Sequence, residues 1–137
     1  MGPTLRWLLL LSVLGCAADA AAPEVYERFD PPAEYRAWFT STELCSGLSG
    51  EFDRLRFYRV PGAEFPCPSG TCVARWTDDH HIYLSENYVT DEMVVRHEML
   101  HDLIGQPGHP DPPFGPSGCG LTWTSWSGRV AGVRPID

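Results

Sequence analysis

Apolar residues recur at helical spacing over residues 33–45. In this segment Tyr35, Trp38 and Phe39 occupy positions i, i+3 and i+4, which places their side chains on one face of a helix. Gly47 lies just beyond the segment and favours a stop there. The pattern predicts an amphipathic helix that packs its aromatic face against a core.

A period of two predicts strands in the middle of the chain. Arg and apolar residues alternate over residues 53–60, as in a strand with one buried face. Two further segments, 71–76 and 81–85, flank a turn-forming stretch at 77–80 and predict an antiparallel hairpin. Residues 66–70 contain Pro and Gly and are expected to form a loop.

A second helix is predicted over the segment that ends at Ile104. Thr90 and Asp91 are both suitable N-cap residues, because their side-chain oxygens can accept a hydrogen bond from the first turn. At the other end, Gly105 can adopt the left-handed conformation of a C′ residue, and Pro107 prevents continuation. Apolar residues cover most of the circumference, so this helix should be buried.

The order of these elements predicts an α+β fold. The chain has 137 residues, which is enough for one domain and too few for two. We assign the domain to residues 31–137, with an N-terminal helix, a short β-sheet that includes the hairpin, an active-site helix and an irregular C-terminal tail. The tail is predicted because Pro and Gly are abundant after Gln106 and disfavour both helix and strand.

The start of the chain is typical of a targeting segment. Arg6 precedes an apolar run that is too short to cross a bilayer comfortably. The run ends in Val-Leu-Gly-Cys at positions 13–16, which resembles a bacterial lipobox. This resemblance implies a lipoprotein signal peptide at 1–15 and a lipidated Cys16 that begins a tether over 16–30. The alternative is an ordinary signal peptide in which Cys16 is incidental.

The residue after Cys16 bears on the expected location. It is Ala17 and not Asp, which by resemblance to Gram-negative lipoproteins implies the outer membrane. The expected location is therefore the bacterial cell envelope, with the protein lipid-anchored in the outer membrane and facing the periplasm or the exterior. Such an anchor attaches a protein to a membrane without spanning it.

The charge balance argues against nucleic acid as a partner. All 10 basic residues are Arg, against 18 acidic residues, for a net charge of −8. Removal of residues 1–15 takes away Arg6 alone, so −8 becomes −9. An acidic chain without Lys is a poor match for nucleic acid or for anionic lipid surfaces.

Cysteine usage fits an exported protein. Apart from Cys16, four cysteines remain, and an even number in a small exported domain favours two disulfides. Cys67 and Cys72 flank a short turn-rich loop and are the natural local pair, which leaves Cys45 to pair with Cys119. The alternative is a zinc knuckle, which the absence of a Cys-x-x-Cys pattern disfavours.

The most specific chemical signal is the sequence His97-Glu98-Met99-Leu100-His101. On a helix, the two histidines lie one turn apart on the same face, so their imidazoles can bind one metal ion. Glu98 is rotated by about 100° from His97, close to the metal without binding it, where a general base would stand. The alternative is two histidines that only pack or form hydrogen bonds.

The surroundings of this motif resemble a known family. A strand, a connector, the motif helix, a turn and a further His follow one another between Cys72 and His109. This order resembles the core of the zincin metallopeptidases, with the His-Glu-x-x-His motif as its most specific part. The resemblance implies a Zn²⁺ ion held by three protein ligands and one water.

The third ligand decides the zincin subclass. Gluzincins supply a Glu from a later helix, but no Glu follows Glu98. Metzincins place a Gly three residues and a third His six residues after the second His. Here Gly105 and His109 come four and eight residues after His101. The chain is metzincin-like with a lengthened third-ligand loop, and it has no Met-turn because no Met follows Met99.

His109 is the expected third ligand, because neighbouring Gly residues let the chain fold back under the helix. Asp111 is the next candidate, and His80 or His81 are more distant ones. Asp102 is expected in the outer shell of the site or at the surface. The oxyanion-stabilising residue stays open among four candidates: Tyr83, Tyr88, His81 and Arg129.

The resemblance implies peptide-bond hydrolysis. Zn²⁺ would acidify a water, and Glu98 would take its proton and return one to the leaving amine. A strand at the sheet edge around Ile82–Leu84 would bind an extended peptide or protein substrate. The predicted function is a small lipid-anchored zinc peptidase of the cell envelope. The alternatives are a non-catalytic zinc-binding structural or interaction lipoprotein, which the small size favours, and a metal-free disulfide-stapled module.

Overall fold

Two helices and two β-sheets make up residues 22–127, the part of the chain that the structure, a computed structural model, describes. This architecture confirms the predicted α+β class. The predicted signal peptide at 1–15, the predicted lipidation site Cys16 and the candidate Arg129 lie outside the described residues. Within the described part, none of the helices has the length and apolarity needed to cross a membrane. The elements are β1 (Glu27–Phe29), α1 (Ala33–Ser46), β2 (Arg56–Val60), β3 (Phe65–Cys67), β4 (Gly70–Cys72), β5 (Ala74–Thr77), β6 (His81–Ser85) and α2 (Glu92–Ile104), with 3₁₀ turns at Phe52–Arg54 and Glu86–Tyr88.

The four-stranded sheet has the order β1-β2-β6-β5. β5 and β6 are antiparallel, which confirms the predicted hairpin. β2 and β6 are parallel, with Phe57 opposite Ile82. The prediction of an edge strand at Ile82–Leu84 is therefore wrong, because β2 occupies the side of β6 that was expected to be open. Among the described strands, β5 is the sheet edge that faces α2.

A separate two-stranded sheet is formed by β3 and β4, and its Phe65 packs with Val60 and Tyr83 of the main sheet. The disulfide between Cys67 and Cys72 closes the two-stranded sheet, as predicted. Residues 66–70, expected to be a loop, contribute to both strands. The segment 71–76, expected to be one strand, is divided at Val73 because its first half pairs with β3 and its second half with β6.

Residues 27–29 form β1, although the prediction for this segment was a tether. β1 pairs antiparallel with β2, with Phe29 opposite Phe57, and the Phe29 side chain packs against the core. A strand of three residues is too short to show a period of two, so its sequence gave no local signal.

The core lies between one face of the main sheet and the two helices. Its centre consists of fully or nearly fully buried side chains from the main sheet, α1 and α2. Arg96 joins the helices, because its Nε donates a hydrogen bond of 3.0 Å to the Thr42 hydroxyl of α1. Within α2 its guanidinium pairs with Glu92 at 2.8 Å. The second predicted disulfide, Cys45–Cys119, fastens α1 to the tail. The main core side chains are Tyr35, Phe39, Phe57, Ile82, Leu84, Val95, Met99 and Leu100.

Helix α2 begins and ends where its capping residues predict. The Asp91 side chain accepts a hydrogen bond of 3.0 Å from the backbone N–H of Val94, which is the N-cap contact. Gly105 has φ of 67° and donates its N–H to the His101 carbonyl, which ends the helix in the left-handed conformation. The motif histidines therefore lie on a helix that is fixed at both ends.

Candidate metal centre

Three imidazoles converge at one point beside α2. His97 and His101 come from the helix, and His109 comes from the loop that follows it. Their Nε2 atoms form a nearly equilateral triangle, with distances of 3.0 Å from His97 to His109, 3.2 Å from His97 to His101 and 3.1 Å from His101 to His109. The structure thus brings together the three histidines that the sequence analysis selected, and they form a group that could hold a metal ion.

The Nδ1 atoms of the two helix histidines are held by backbone carbonyls. His97 Nδ1 donates to the Leu121 carbonyl at 2.6 Å, and His101 Nδ1 donates to the Gln106 carbonyl at 2.8 Å. Burial lowers the pKa of both imidazoles to about 4, so both are neutral at pH 7. A neutral imidazole that donates from Nδ1 has a lone pair on Nε2. Metal-binding histidines are commonly oriented by such carbonyls.

The triangle fits a small cation. Two Nε2 lone pairs that face each other at 3.2 Å repel, unless a proton or a cation lies between them. Tetrahedral zinc with Zn–N bonds of about 2.0–2.1 Å separates its nitrogen ligands by about 3.3 Å. The observed distances of 3.0–3.2 Å are close to this value. The donor set therefore suits one metal ion bound through three nitrogen atoms.

Glu98 lies next to the histidine group without belonging to it. Its side chain is buried, with 6% of the residue exposed, yet it lines the same cavity as the three histidines. Burial raises the pKa of Glu98 to about 8, and a backbone hydrogen bond from Trp76 acts in the opposite direction. A carboxyl group in this position is placed to exchange protons close to a bound metal.

A side chain that the sequence analysis did not select, Phe114, packs against all three imidazoles. Its ring centroid lies 4.9 Å from that of His97, 4.6 Å from that of His101 and 4.9 Å from that of His109. Phe114 is fully buried. It is the only large apolar side chain in the Pro- and Gly-rich stretch 108–120, and that isolation was the signal that could have identified it.

The other candidate ligands lie elsewhere. Asp111 accepts a hydrogen bond of 3.1 Å from the Ser117 backbone and so stabilises the Pro- and Gly-rich tail loop, residues 108–120. His80 pairs with Asp102 at 2.8 Å, and His81 pairs with Asp79 at 3.1 Å. None of Asp111, His80 and His81 belongs to the converging group.

Two cavities meet at the histidine group. The larger, of about 860 Å³, extends along β5 to the loop closed by Cys67 and Cys72, and Tyr83 lines it. The smaller, of about 430 Å³, has a mainly apolar wall that includes Val73, Met93 and Trp123. Both cavities reach His97 and Glu98. The candidate centre is therefore open to ligands from two sides.

The remaining candidates for the oxyanion-stabilising residue differ in position. Burial raises the pKa of Tyr83 to about 12, so its hydroxyl stays protonated and can donate a hydrogen bond. Tyr88 contacts Trp123 at a centroid distance of 6.3 Å, at the smaller cavity, and His81 is paired with Asp79. Of the two tyrosines, the residue that lines the larger cavity is Tyr83.

Comparison of the chain with known proteins finds no family model, no curated protein and no solved structure that matches it. The assignment of a function therefore depends on the donor set and its surroundings. The described residues form a small α+β domain in which three histidines that could hold a metal ion line an open cavity.

Proposed function

We propose that the protein is a zinc-dependent peptidase. The observation that carries the proposal is the convergence of three imidazoles beside a buried carboxyl, in a cleft bordered by a sheet edge. Structural zinc sites are usually closed by four protein ligands, whereas catalytic sites use three and keep a position open. A set of three histidines with an open cleft matches the catalytic arrangement.

Glu98 carries the proton transfers in this proposal. Bound Zn²⁺ would polarise the scissile carbonyl and acidify water. Glu98 accepts a proton from the attacking water and returns one to the leaving amine, so that one water and one peptide bond become a carboxylic acid and an amine.

Strand β5 is the element best placed to bind the substrate. It is a sheet edge among the described strands and lines the cavity that contains the three histidines. A peptide in extended conformation can add to such an edge through backbone hydrogen bonds. The backbone hydrogen bond from Trp76 to Glu98 supports this assignment, because it links the proposed base to the strand that would bind the peptide.

The proposal is tested by metal analysis and cleavage assays on the purified full-length protein. We expect the wild type to contain about one equivalent of zinc and the variants His97→Ala and His101→Ala to contain none. We also expect the wild type to cleave a peptide library. The Glu98→Gln variant should retain zinc but cleave nothing. A wild type that holds zinc and cleaves nothing would support the non-catalytic zinc-binding lipoprotein instead. A wild type without zinc would exclude both.

We also propose that a lipid at Cys16 attaches the protein to the envelope membrane. Ala22 lines the larger cavity and lies six residues after Cys16. Six residues span at most about 22 Å when fully extended, so a lipid at Cys16 would keep this cavity close to the bilayer. Substrates would then be polypeptide segments near the membrane surface.

The anchor is tested separately from the peptidase. We expect the Cys16→Ala variant to lose the mass of the lipid and to move from the membrane fraction to the soluble fraction, with its zinc content unchanged. Retention of this variant in the membrane fraction would contradict the proposed anchor.

A further inference from the structure

We infer that Phe114 is a positioning residue for the three-histidine group, whose ring holds the imidazoles in the arrangement that a metal ion requires. The inference rests on the metal site proposed above. Phe114 contacts each of the three rings at a centroid distance between 4.6 and 4.9 Å. A single side chain therefore limits the rotation of all three.

The three histidines differ in how much their ring orientation depends on Phe114. His97 and His101 stand on a helix, and each has a backbone carbonyl on its Nδ1 atom. His109 is exposed and belongs to a loop. The ring contacts described for it are with the other two histidines and with Phe114, which meets it edge to face at 84°. Phe114 should matter most for the orientation of His109.

The loop that carries Phe114 is built to keep the ring in place. The Phe114 N–H donates to the Pro110 carbonyl at 2.9 Å, and the Phe114 carbonyl accepts from Leu121 N–H at 2.8 Å. The Leu121 carbonyl in turn accepts from His97 Nδ1 at 2.6 Å. Phe114 is thus connected to the histidine group by its ring and, through Leu121, by its backbone.

Close packing and a crosslink reinforce this loop. The Cys119 N–H donates to the Pro113 carbonyl at 2.7 Å, and Cys119 is bonded to Cys45 on α1. A side chain at Gly118 would collide with the backbone of Pro113. These contacts leave Phe114 little freedom to move away from the imidazoles.

The experiment compares Phe114→Leu with Phe57→Leu, a matched control. Phe57 is also buried, with 1% exposed, and its ring contacts are with Phe29, Tyr35 and Phe52, away from the histidines. Both variants remove similar buried volume, so both should lower the melting temperature. The readouts are the Zn²⁺ affinity in competition with a chromophoric chelator and the visible absorption spectrum of the Co²⁺-loaded protein.

We expect Phe114→Leu to weaken Zn²⁺ binding by about tenfold or more, as the loss of residues that orient metal ligands typically does, and to alter the Co²⁺ bands. Phe57→Leu should change neither. A Phe114→Met variant, whose flexible side chain has about the same volume as that of leucine, should likewise bind Zn²⁺ more weakly than wild type.

Two results would overturn the inference, and they are distinguishable. If wild type binds Zn²⁺ and the Phe114 variants bind it as tightly as Phe57→Leu does, Phe114 is only a core residue and the proposed metal site stands. If wild type binds neither Zn²⁺ nor Co²⁺, the metal site fails and the role of Phe114 fails with it.

Discussion

The carboxylate of Asp102 accepts a hydrogen bond of 2.8 Å from the indole Nε1 of Trp76. Asp102 follows His101 on α2, and Trp76 belongs to the edge strand β5. The Trp76 ring lies parallel to the His101 imidazole within 18°, at a centroid distance of 6.1 Å, and its backbone is hydrogen-bonded to Glu98. One strand residue therefore touches the proposed base, a candidate ligand and the helix that carries both.

The variant Trp76→Phe tests this link. Phenylalanine keeps an aromatic ring beside His101 but removes the N–H, which leaves the buried Asp102 carboxylate with one partner fewer. We expect the free energy of unfolding in urea to fall by about 1–3 kcal/mol. We also expect kcat/KM on the best library peptide to fall by about tenfold, the lower end of the effect of removing such supporting contacts.

The control for this prediction is Trp38→Phe. Trp38 belongs to α1 and stacks on Tyr35 at a centroid distance of 5.2 Å, with no described ring contact to the histidines. If Trp76→Phe and Trp38→Phe have the same effects on stability and on cleavage, the indole hydrogen bond has no special role at the site.

The metal-free protein is expected to be most stable near pH 6.5. Burial lowers the pKa of His97 and of His101 from 6.5 to about 4, so the unfolded state binds more protons in this range and stability rises with pH. Burial raises the pKa of Glu98 from 4.5 to about 8, so the contribution of this group to the free energy of unfolding falls as pH rises through that interval. Below pH 6.5 the two histidines make stability rise with pH faster than Glu98 makes it fall. Between pH 6.5 and 8 only Glu98 contributes, so stability falls.

The measurement is the urea midpoint of chelator-treated protein between pH 4.5 and 8.5. The matched variant Glu98→Gln should lose the decline above pH 6.5 and keep the rise below it. A wild-type midpoint that continues to increase between pH 6.5 and 8 would contradict the assignment of a raised pKa to Glu98.

The features that local sequence determines were predictable. Asp91 and Gly105 define the ends of α2 because capping depends on the residues of the first and last turn. The motif then places His97 and His101 on one face by helical geometry alone. His109 could be predicted as the third member of the group because only a short loop separates it from the helix.

The features that the sequence did not predict depend on contacts between distant segments. The parallel pairing of β2 with β6 places Phe57 opposite Ile82. The alternation of polar and apolar residues in a strand does not show which other strand pairs with it. Phe114 stands in a Pro- and Gly-rich stretch with no periodicity. Its burial accompanies the backbone hydrogen bonds that Phe114 makes with Pro110 and Leu121, and no local pattern encodes these bonds.

Loss of the Cys45–Cys119 disulfide should destabilise the protein and weaken the metal site together. The two cysteines are 74 residues apart, and the entropy of closing a loop of that length corresponds to about 4 kcal/mol. In the double variant Cys45→Ser/Cys119→Ser, the loop that carries Phe114 loses its attachment to α1. We expect both the free energy of unfolding and the Zn²⁺ affinity to decrease.

The second disulfide provides the control. Cys67 and Cys72 are 5 residues apart, and the same relation gives about 2 kcal/mol for so short a loop. This disulfide borders the cavity but holds no candidate ligand. The double variant Cys67→Ser/Cys72→Ser should therefore be less destabilised and bind Zn²⁺ as wild type does. Equal losses of Zn²⁺ affinity in the two double variants would contradict a specific role for the tail loop.

The variant His109→Ala decides whether this histidine is the third ligand. Loss of one of three nitrogen donors should weaken Zn²⁺ binding by more than about 100-fold, beyond the effect of outer contacts. Asp111→Asn is the control for the rival ligand, because an amide oxygen can still accept from the Ser117 N–H but binds zinc poorly. His80→Ala and His81→Ala remove the only other histidines of the chain and should leave Zn²⁺ affinity unchanged. If Asp111→Asn lowers the affinity as much as His109→Ala does, the carboxylate contributes a ligand and the three-histidine assignment is wrong.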